Sequence, residues 1–285
     1  MKKTMIFKKI AKKLLSKSPS LNTAVQTKKF ELAHKQDFSN LEDYEKDLLI
    51  QVRDNGYAVV PEFLDIETCD ACTKDMDWMF ENKKEFLRES DFGDSRIFGA
   101  EELSKNIKKF GNNDLLNKLA NAYYAVPACN GFTLAGKMIT TGHEYGSGGS
   151  WHRDSYLRQF KSLIYLNDVT EENGPFQVLL KSHKSEQIKL DKKIASLDEM
   201  QSSFPHEIIQ KIIDSDPSRL HTLTGKAGTM VLVDTSAIHR GAPLKSGIRY
   251  ALTNYFFEKS QINPHLVEHF SPLVSPQKVL QMGNN

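Results

Sequence analysis

Cysteine is scarce in this chain: three in 285 residues, an odd number without framework spacing, so no disulfide scaffold is expected and a reducing, cytoplasmic setting fits. Long apolar runs are missing too, and nothing approaches the roughly 20 residues needed to span a membrane. There are no internal repeats. No acidic residue precedes Glu31, whereas Lys2, Lys3, Lys8, Lys9, Lys12, Lys13 and Lys17 all fall in that stretch. The formal net charge of +2 therefore hides a net acidic body behind a basic tail, which argues against a nucleic-acid partner.

With 39% hydrophobic and 26% charged residues, the composition is that of a soluble globular protein, and one domain accounts for the length. On a helical wheel from Ile6 to Leu15, Ile6, Phe7, Ile10, Ala11, Leu14 and Leu15 share one half and Lys8, Lys9, Lys12 and Lys13 the other. That pattern fits a short helix in peripheral contact with an anionic membrane. It equally describes a helix docked on the body of the protein or a solvated tail. A transit peptide would favour arginine, and the segment has none. The expected organisation is a basic amphipathic segment over 1–17, a linker over 18–40 that begins at Ser18-Pro19-Ser20, and a domain over 41–285.

Within that domain a helical pattern from about Leu41 stops at Asn55-Gly56, and Tyr57 to Val60 reads as a strand ending at Pro61. Residues from about Asp65 to Asn121 look mostly helical. Strands are expected at Phe132 to Thr141, Ser162 to Leu166, Thr229 to Asp234 and Tyr250 to Phe257. A polar, helix-prone insertion lies around 186–220, where a lid would shape substrate choice. Gly146 to Gly149 makes a flexible loop, not a phosphate loop, because no Gly-Lys-Ser/Thr follows.

The chemistry centres on His152-Arg153-Asp154. His152 and Asp154, two residues apart at a strand end, project to the same side and can bind one ion together. His239, behind the apolar run Thr229 to Asp234, supplies a second imidazole from elsewhere in the chain. Two histidines and one carboxylate make the facial triad that holds non-haem Fe(II) and leaves positions open for a co-substrate and O2. Ten residues further on, Arg249 offers the planar fork that binds a carboxylate bidentately, as a dicarboxylic co-substrate such as 2-oxoglutarate requires. Lys137 sits in the strand leading to this site, with inward and outward orientations both open.

These pieces together resemble the phytanoyl-CoA dioxygenase family of Fe(II)- and 2-oxoglutarate-dependent oxygenases. The matching segments are Trp151-His152-Arg153-Asp154, the strand Ser162 to Leu166 with Asn167-Asp168, the turn Glu172-Asn173-Gly174-Pro175, Ser182-His183-Lys184, and the ten-residue step from His239 to Arg249. They cover roughly residues 45 to 258 in the family's order. The resemblance implies a mainly β fold with flanking helices, a double-stranded β-helix of the jelly-roll or cupin-like barrel type. It places iron on His152, Asp154 and His239 and the 2-oxoglutarate carboxylate on Arg249. It further implies hydroxylation of a small-molecule substrate, with 2-oxoglutarate leaving as succinate and CO2, and the basic tail adds weight to a lipid- or envelope-linked metabolite. One departure stands out: the family reads Pro-Gly-Ser-His where this chain has Leu180-Lys181-Ser182-His183, so a differently shaped turn is expected there.

Other motifs are decoys. His152-Arg153-Asp154 and Asp91-Phe92-Gly93 spell protein-kinase triplets in the wrong order, with Gln159 in place of the loop asparagine. Cys69-Asp70-Ala71-Cys72 has redox spacing but falls within a helical pattern. His143-Glu144 lacks the second histidine of a zincin helix. His183 reads as a structural hydrogen-bonding residue. The rival readings are a barrel that binds a metabolite without oxygen chemistry and a scaffold recruited to membranes by its tail.

Overall fold

A computed structural model describes residues 36, 38–144, 146–198, 200–262 and 272–273. The basic segment 1–17 lies outside the described residues, as does most of the expected linker. Among the described residues no helix is long and apolar enough to cross a membrane.

Helix α1 (Asp43–Asn55) starts behind a capping box in which Glu42 and Glu45 exchange side-chain-to-backbone bonds. It ends on Gly56 at φ 100°, a left-handed position that glycine takes without a Cβ clash. Strand β1 (Tyr57–Val60) follows, and then α2 (Ile66–Asn82), capped by Asp65 accepting from Thr68 N. The stretch expected to be mostly helical up to Asn121 is interrupted. A hairpin of β2 (Arg88–Glu89) and β3 (Asp94–Phe98) precedes α3 (Lys105–Gly111) and α4 (Asp114–Tyr124). Asp91-Phe92-Gly93 lies in its turn, with Gly93 at φ 78°, so local turn chemistry overrides the helical pattern on either side.

The remaining elements are β4 (Ala128–Ile139), β5 (Trp151–His152), β6 (Phe160–Tyr165), β7 (Phe176–Leu179), α5 (Ser185–Ala195), β8 (Ser203–Phe204), α6 (His206–Ser215), β9 (Leu220–Leu223), β10 (Met230–Asp234), β11 (His239–Gly241) and β12 (Ile248–Glu258). They build two antiparallel sheets. The major sheet has seven strands in the order β1-β10-β6-β12-β4-β3-β2, and the minor sheet five in the order β8-β5-β11-β7-β9. From β4 to β12 the chain steps back and forth between the sheets, the winding of a double-stranded β-helix. Among the described residues no strand ladder joins the two sheets, so they face each other as a sandwich and do not close into a barrel.

Strand alternation sorts the side chains. On the outer face of the major sheet, Met230, Leu232, Ile164 and Leu252 join one core cluster with Leu49, Met76, Ile107 and Leu116 from the helices. Their neighbours Val231, Val233 and Ala251 point inward and pack with Val178 and Leu223 of the minor sheet. The buried Cys69 and Cys72 belong to the helix-facing core, and burial pushes their thiols up to about 11 and 12. A redox pair needs accessible thiolates, and these are neither accessible nor ionised.

The insertion around 186–220 supplies α5 and α6. Ala195, Ile209 and Ile212 pack on Trp151, Leu179 and Phe204, behind the minor sheet. Asp191, fully buried, takes a bidentate pair from Arg219 at 2.5 and 2.9 Å. This segment is a buttress and not a lid, because its apolar residues are spent on the back of the sheet.

Candidate active site

Between the sheets lies a cavity of about 460 Å3, within the size range of small-molecule sites. No described residue from 180 to 232 lines it. His152, Asp154, His239 and Arg249 all do, and each arrives by a different local rule.

β5 and β11 are neighbours, and His152 is paired directly with His239 in their register. Their rings are 4.4 Å apart between centroids. His152 Nδ1 lies 2.8 Å from Ser150 O, and His239 Nδ1 lies 2.9 Å from Ala237 O. A carbonyl only accepts, so both Nδ1 atoms carry the proton and both Nε2 atoms keep a lone pair for a ligand. Phe176 stacks on His239 with 5.3 Å between centroids, fixing that ring further. Burial, reinforced by the neighbouring His152, depresses His239 to about 3, so it stays neutral at any ordinary working pH.

Asp154 follows β5 and is anchored through its backbone, its N–H donating to Thr235 O at 2.9 Å. Oδ1 lies 3.6 Å from His152 Nε2, and Oδ2 lies 2.5 Å from the Lys161 ammonium. Burial alone would raise this carboxyl; Lys161 and the two imidazoles outweigh it and hold Asp154 below the usual carboxylate range. Donor atoms of His152, Asp154 and His239 all fall within 4.8 Å of one another, the one such cluster found among the described residues.

Arg249 enters from the inner face of β12 and is 4% exposed. One Nη donates to Gly174 O, which explains the Asn-Gly-Pro turn. Gly174 sits at φ 78°, and a Cβ there would overlap Leu244, so only glycine lets this carbonyl reach the guanidinium. Arg249 Nε is buried without a partner. Burial lowers its basicity, and Tyr165 pulls the other way. An unspent donor on a fixed cation beside three metal-type donors fits a carboxylate ligand that also reaches the metal.

Lys137 does not reach the cavity. It pairs in register with Tyr250, whose side chain points outward, and its Nζ bonds Asp77 of α2 at 2.8 Å. His183 is outside as well, its Nε2–H donating to Arg53 O at 3.0 Å. At the Leu180-Lys181 turn, Lys181 is left-handed, with φ 62°. The loop before β5 is not free either. Gly149 N–H donates to Gly146 O at 2.9 Å, Gly148 N–H to Asp94 at 3.2 Å, and Gly241 N–H of β11 to Ser147 O at 3.1 Å. A Cβ on Gly146 would overlap the carbonyls of Gly241 and Ala242.

Two cavity cations escaped the sequence reading. Lys161, 6% exposed, lies on the inner face of β6 with its Nζ 3.7 Å above the Tyr255 ring. Arg96 of β3 pairs with Asp94 at 2.5 Å and donates to Ser147 Oγ at 3.2 Å. Lys161 carried a readable signal: a lysine with the same parity as Leu163 and Tyr165, inside a strand whose inner face is covered. Arg96 lay in a stretch read as helix and carried none.

Comparison with known proteins accords with this geometry. The family model described as phytanoyl-CoA dioxygenase matches residues 52–250, well over half of the chain. Among solved structures, EctD from S. alaskensis with bound Fe is similar over 79% of this chain and 81% of its own, at 14% identity and a TM-score of 0.62. The epimerase SnoN, in complex with Fe3+, alpha ketoglutarate and nogalamycin RO, is similar over 76% and 84%, at 14% identity and 0.56. HygX from Streptomyces hygroscopicus, with nickel, 2-oxoglutarate and hygromycin B bound, gives 76% and 87%, 16% identity and 0.51. At such identities the structures establish the shared fold. No curated protein sequence matches significantly. The chain belongs to the phytanoyl-CoA dioxygenase family, and with it to the Fe(II)- and 2-oxoglutarate-dependent oxygenases.

Proposed function

We propose that this family member hydroxylates a small molecule in the cavity between its sheets, with iron held by His152, Asp154 and His239 and the distal carboxylate of 2-oxoglutarate held by Arg249. The observation that carries the reading is the cluster itself: two Nε2 lone pairs and one carboxylate converge beside a buried guanidinium with an unpaired donor. When bound, iron with 2-oxoglutarate supplies an oxidant drawn from O2.

The chain's own residues do the rest. Ser150 O and Ala237 O fix the imidazole tautomers, and Lys161 fixes the carboxylate. Phe98, Phe132 and Phe257 give the cavity an apolar, aromatic wall. Such a wall excludes water from a reactive intermediate and suits a substrate with apolar surface. The molecules bound in the SnoN and HygX complexes, nogalamycin RO and hygromycin B, are small molecules, and a small-molecule substrate suits this cavity also. A silent metabolite-binding barrel has no need of a complete triad next to an unspent guanidinium. The deciding experiment is anaerobic binding of Fe(II) and 2-oxoglutarate, followed by a screen for substrates that couple O2 uptake to succinate release. No metal binding, or no succinate with any substrate, would count against the reading.

The basic segment 1–17 we assign to peripheral contact with anionic membrane, on its wheel pattern alone. Deleting it should leave 2-oxoglutarate decarboxylation unchanged and reduce co-sedimentation with anionic vesicles at low salt. Equal vesicle binding by both forms would remove this assignment.

A further inference from the structure

The two oxygens of Asp154 have different partners. Oδ1 faces His152 Nε2 at 3.6 Å, on the side where the imidazoles converge, while Oδ2 is taken by Lys161 Nζ at 2.5 Å. Lys161 has no freedom to leave. Its side chain is 8% exposed, and its Nζ sits 3.7 Å above Tyr255, whose ring is stacked on Phe132 with 4.6 Å between centroids. A carboxylate that turned both oxygens toward one ion would strip this ammonium of its partner, and an unpaired buried charge is strongly unfavourable.

That matters because a triad leaves three positions of an octahedral ion, two for a chelating co-substrate and one for O2. A carboxylate binding through both oxygens would fill one of them. We propose that Lys161 is a positioning residue that reserves Asp154 Oδ2, confines the carboxylate to one-oxygen binding and so keeps a coordination position open for 2-oxoglutarate. The inference rests on the reading of Asp154 as a metal ligand. The ammonium and the carboxylate meet only when β6 folds beside the loop after β5.

The test uses the full chain loaded anaerobically with Co(II), whose visible bands report coordination. Lys161→Met, neutral and of similar length, should still bind Co(II) but with bands changed in position and intensity. Its Co(II) form should bind 2-oxoglutarate on the order of ten- to a hundredfold more weakly. Lys161→Arg, which returns a cation to Oδ2, should recover most of both properties; a merely structural role would leave the spectrum of the folded variant unmoved. Wild-type spectrum and 2-oxoglutarate affinity in folded Lys161→Met would overturn the proposal. A measurement on the unsubstituted protein is independent of how the variants fold: infrared difference spectra on Co(II) binding, with labelled aspartate, should show the wide carboxylate splitting of one-oxygen binding. The narrow splitting of two-oxygen binding would sink this inference and leave the metal reading intact. Failure of the unsubstituted protein to bind Co(II) would sink both.

Discussion

The two sheets contribute different things to one cavity. The short strands of the minor sheet, β5 and β11 with two and three residues, carry the imidazoles; the major sheet, with β12 and β4 of eleven and twelve residues, carries the cations Arg249, Lys161 and Arg96. Metal donors have to converge on a point, and two adjacent short strands do that through one directly opposed pair, His152 and His239. Carboxylate-binding cations have to stand at a set distance from that point, which a long, helix-backed sheet can hold. The difference also divides stability. The major sheet is backed by the largest core cluster, while the minor sheet leans on α5, α6 and the Arg219–Asp191 pair.

The comparison breaks most completely at the metal. Asp154→Ala removes the shared carboxylate, and turnover should vanish while circular dichroism stays native; near-normal oxygenase activity would mean the cavity's ligands lie elsewhere. Asp191→Ala attacks the buttress instead. It strands Arg219 in a buried site, and the loss should be about 3–5 kcal/mol in denaturant unfolding. A loss within about 0.5 kcal/mol, the range of an ordinary surface substitution, would show that the minor sheet stands without its buttress. On the major sheet, Arg249→Ala should raise the 2-oxoglutarate requirement by on the order of a hundredfold, with Arg249→Lys rescuing only in part, because a lysine gives a point charge without the planar fork. An unchanged 2-oxoglutarate titration would hand that role to Lys161 or Arg96. The smallest effect belongs to the turn joining β7 to α5. Lys181→Gly relieves a left-handed side-chain residue and should stabilise the fold by about 1 kcal/mol with no change in turnover. No change in the unfolding midpoint would show that Lys181 is unstrained.

Sequence reading reached the minor sheet's contribution more easily than the major sheet's. His152, Asp154 and His239 are legible because the chemistry demands those residue types at short, recognisable spacing, and Arg249 because it follows at a fixed step. The strands β10 and β12 show as apolar runs, and Asn55-Gly56 marks the end of α1. Lys137 could not be placed from its own strand. Its face depends on the pairing of β4 with β12, which sets Lys137 opposite Tyr250 and Met138 opposite Arg249; a shift of one residue would have turned it inward. Lys161 and Arg96 were missed for a related reason. Lys161 meets Asp154, seven residues away, only once β6 folds beside the loop after β5, Arg96 meets Ser147 across 51 residues, and β3 was hidden by the helical patterns on both sides of its hairpin.

The crossing of the glycine loop with β11 has a mechanical consequence. Gly146 and Gly241 allow two backbones to touch, and the Gly241 N–H to Ser147 O bond rivets them just after His239 and just before His152. Ser147 and Gly148, which line the cavity, are therefore tied directly to the strand that carries His239. A side chain inserted at Gly146 would wedge the rivet open and displace His239 without touching it, so this position, which offers no ligand atom of its own, should tolerate substitution as poorly as a ligand does.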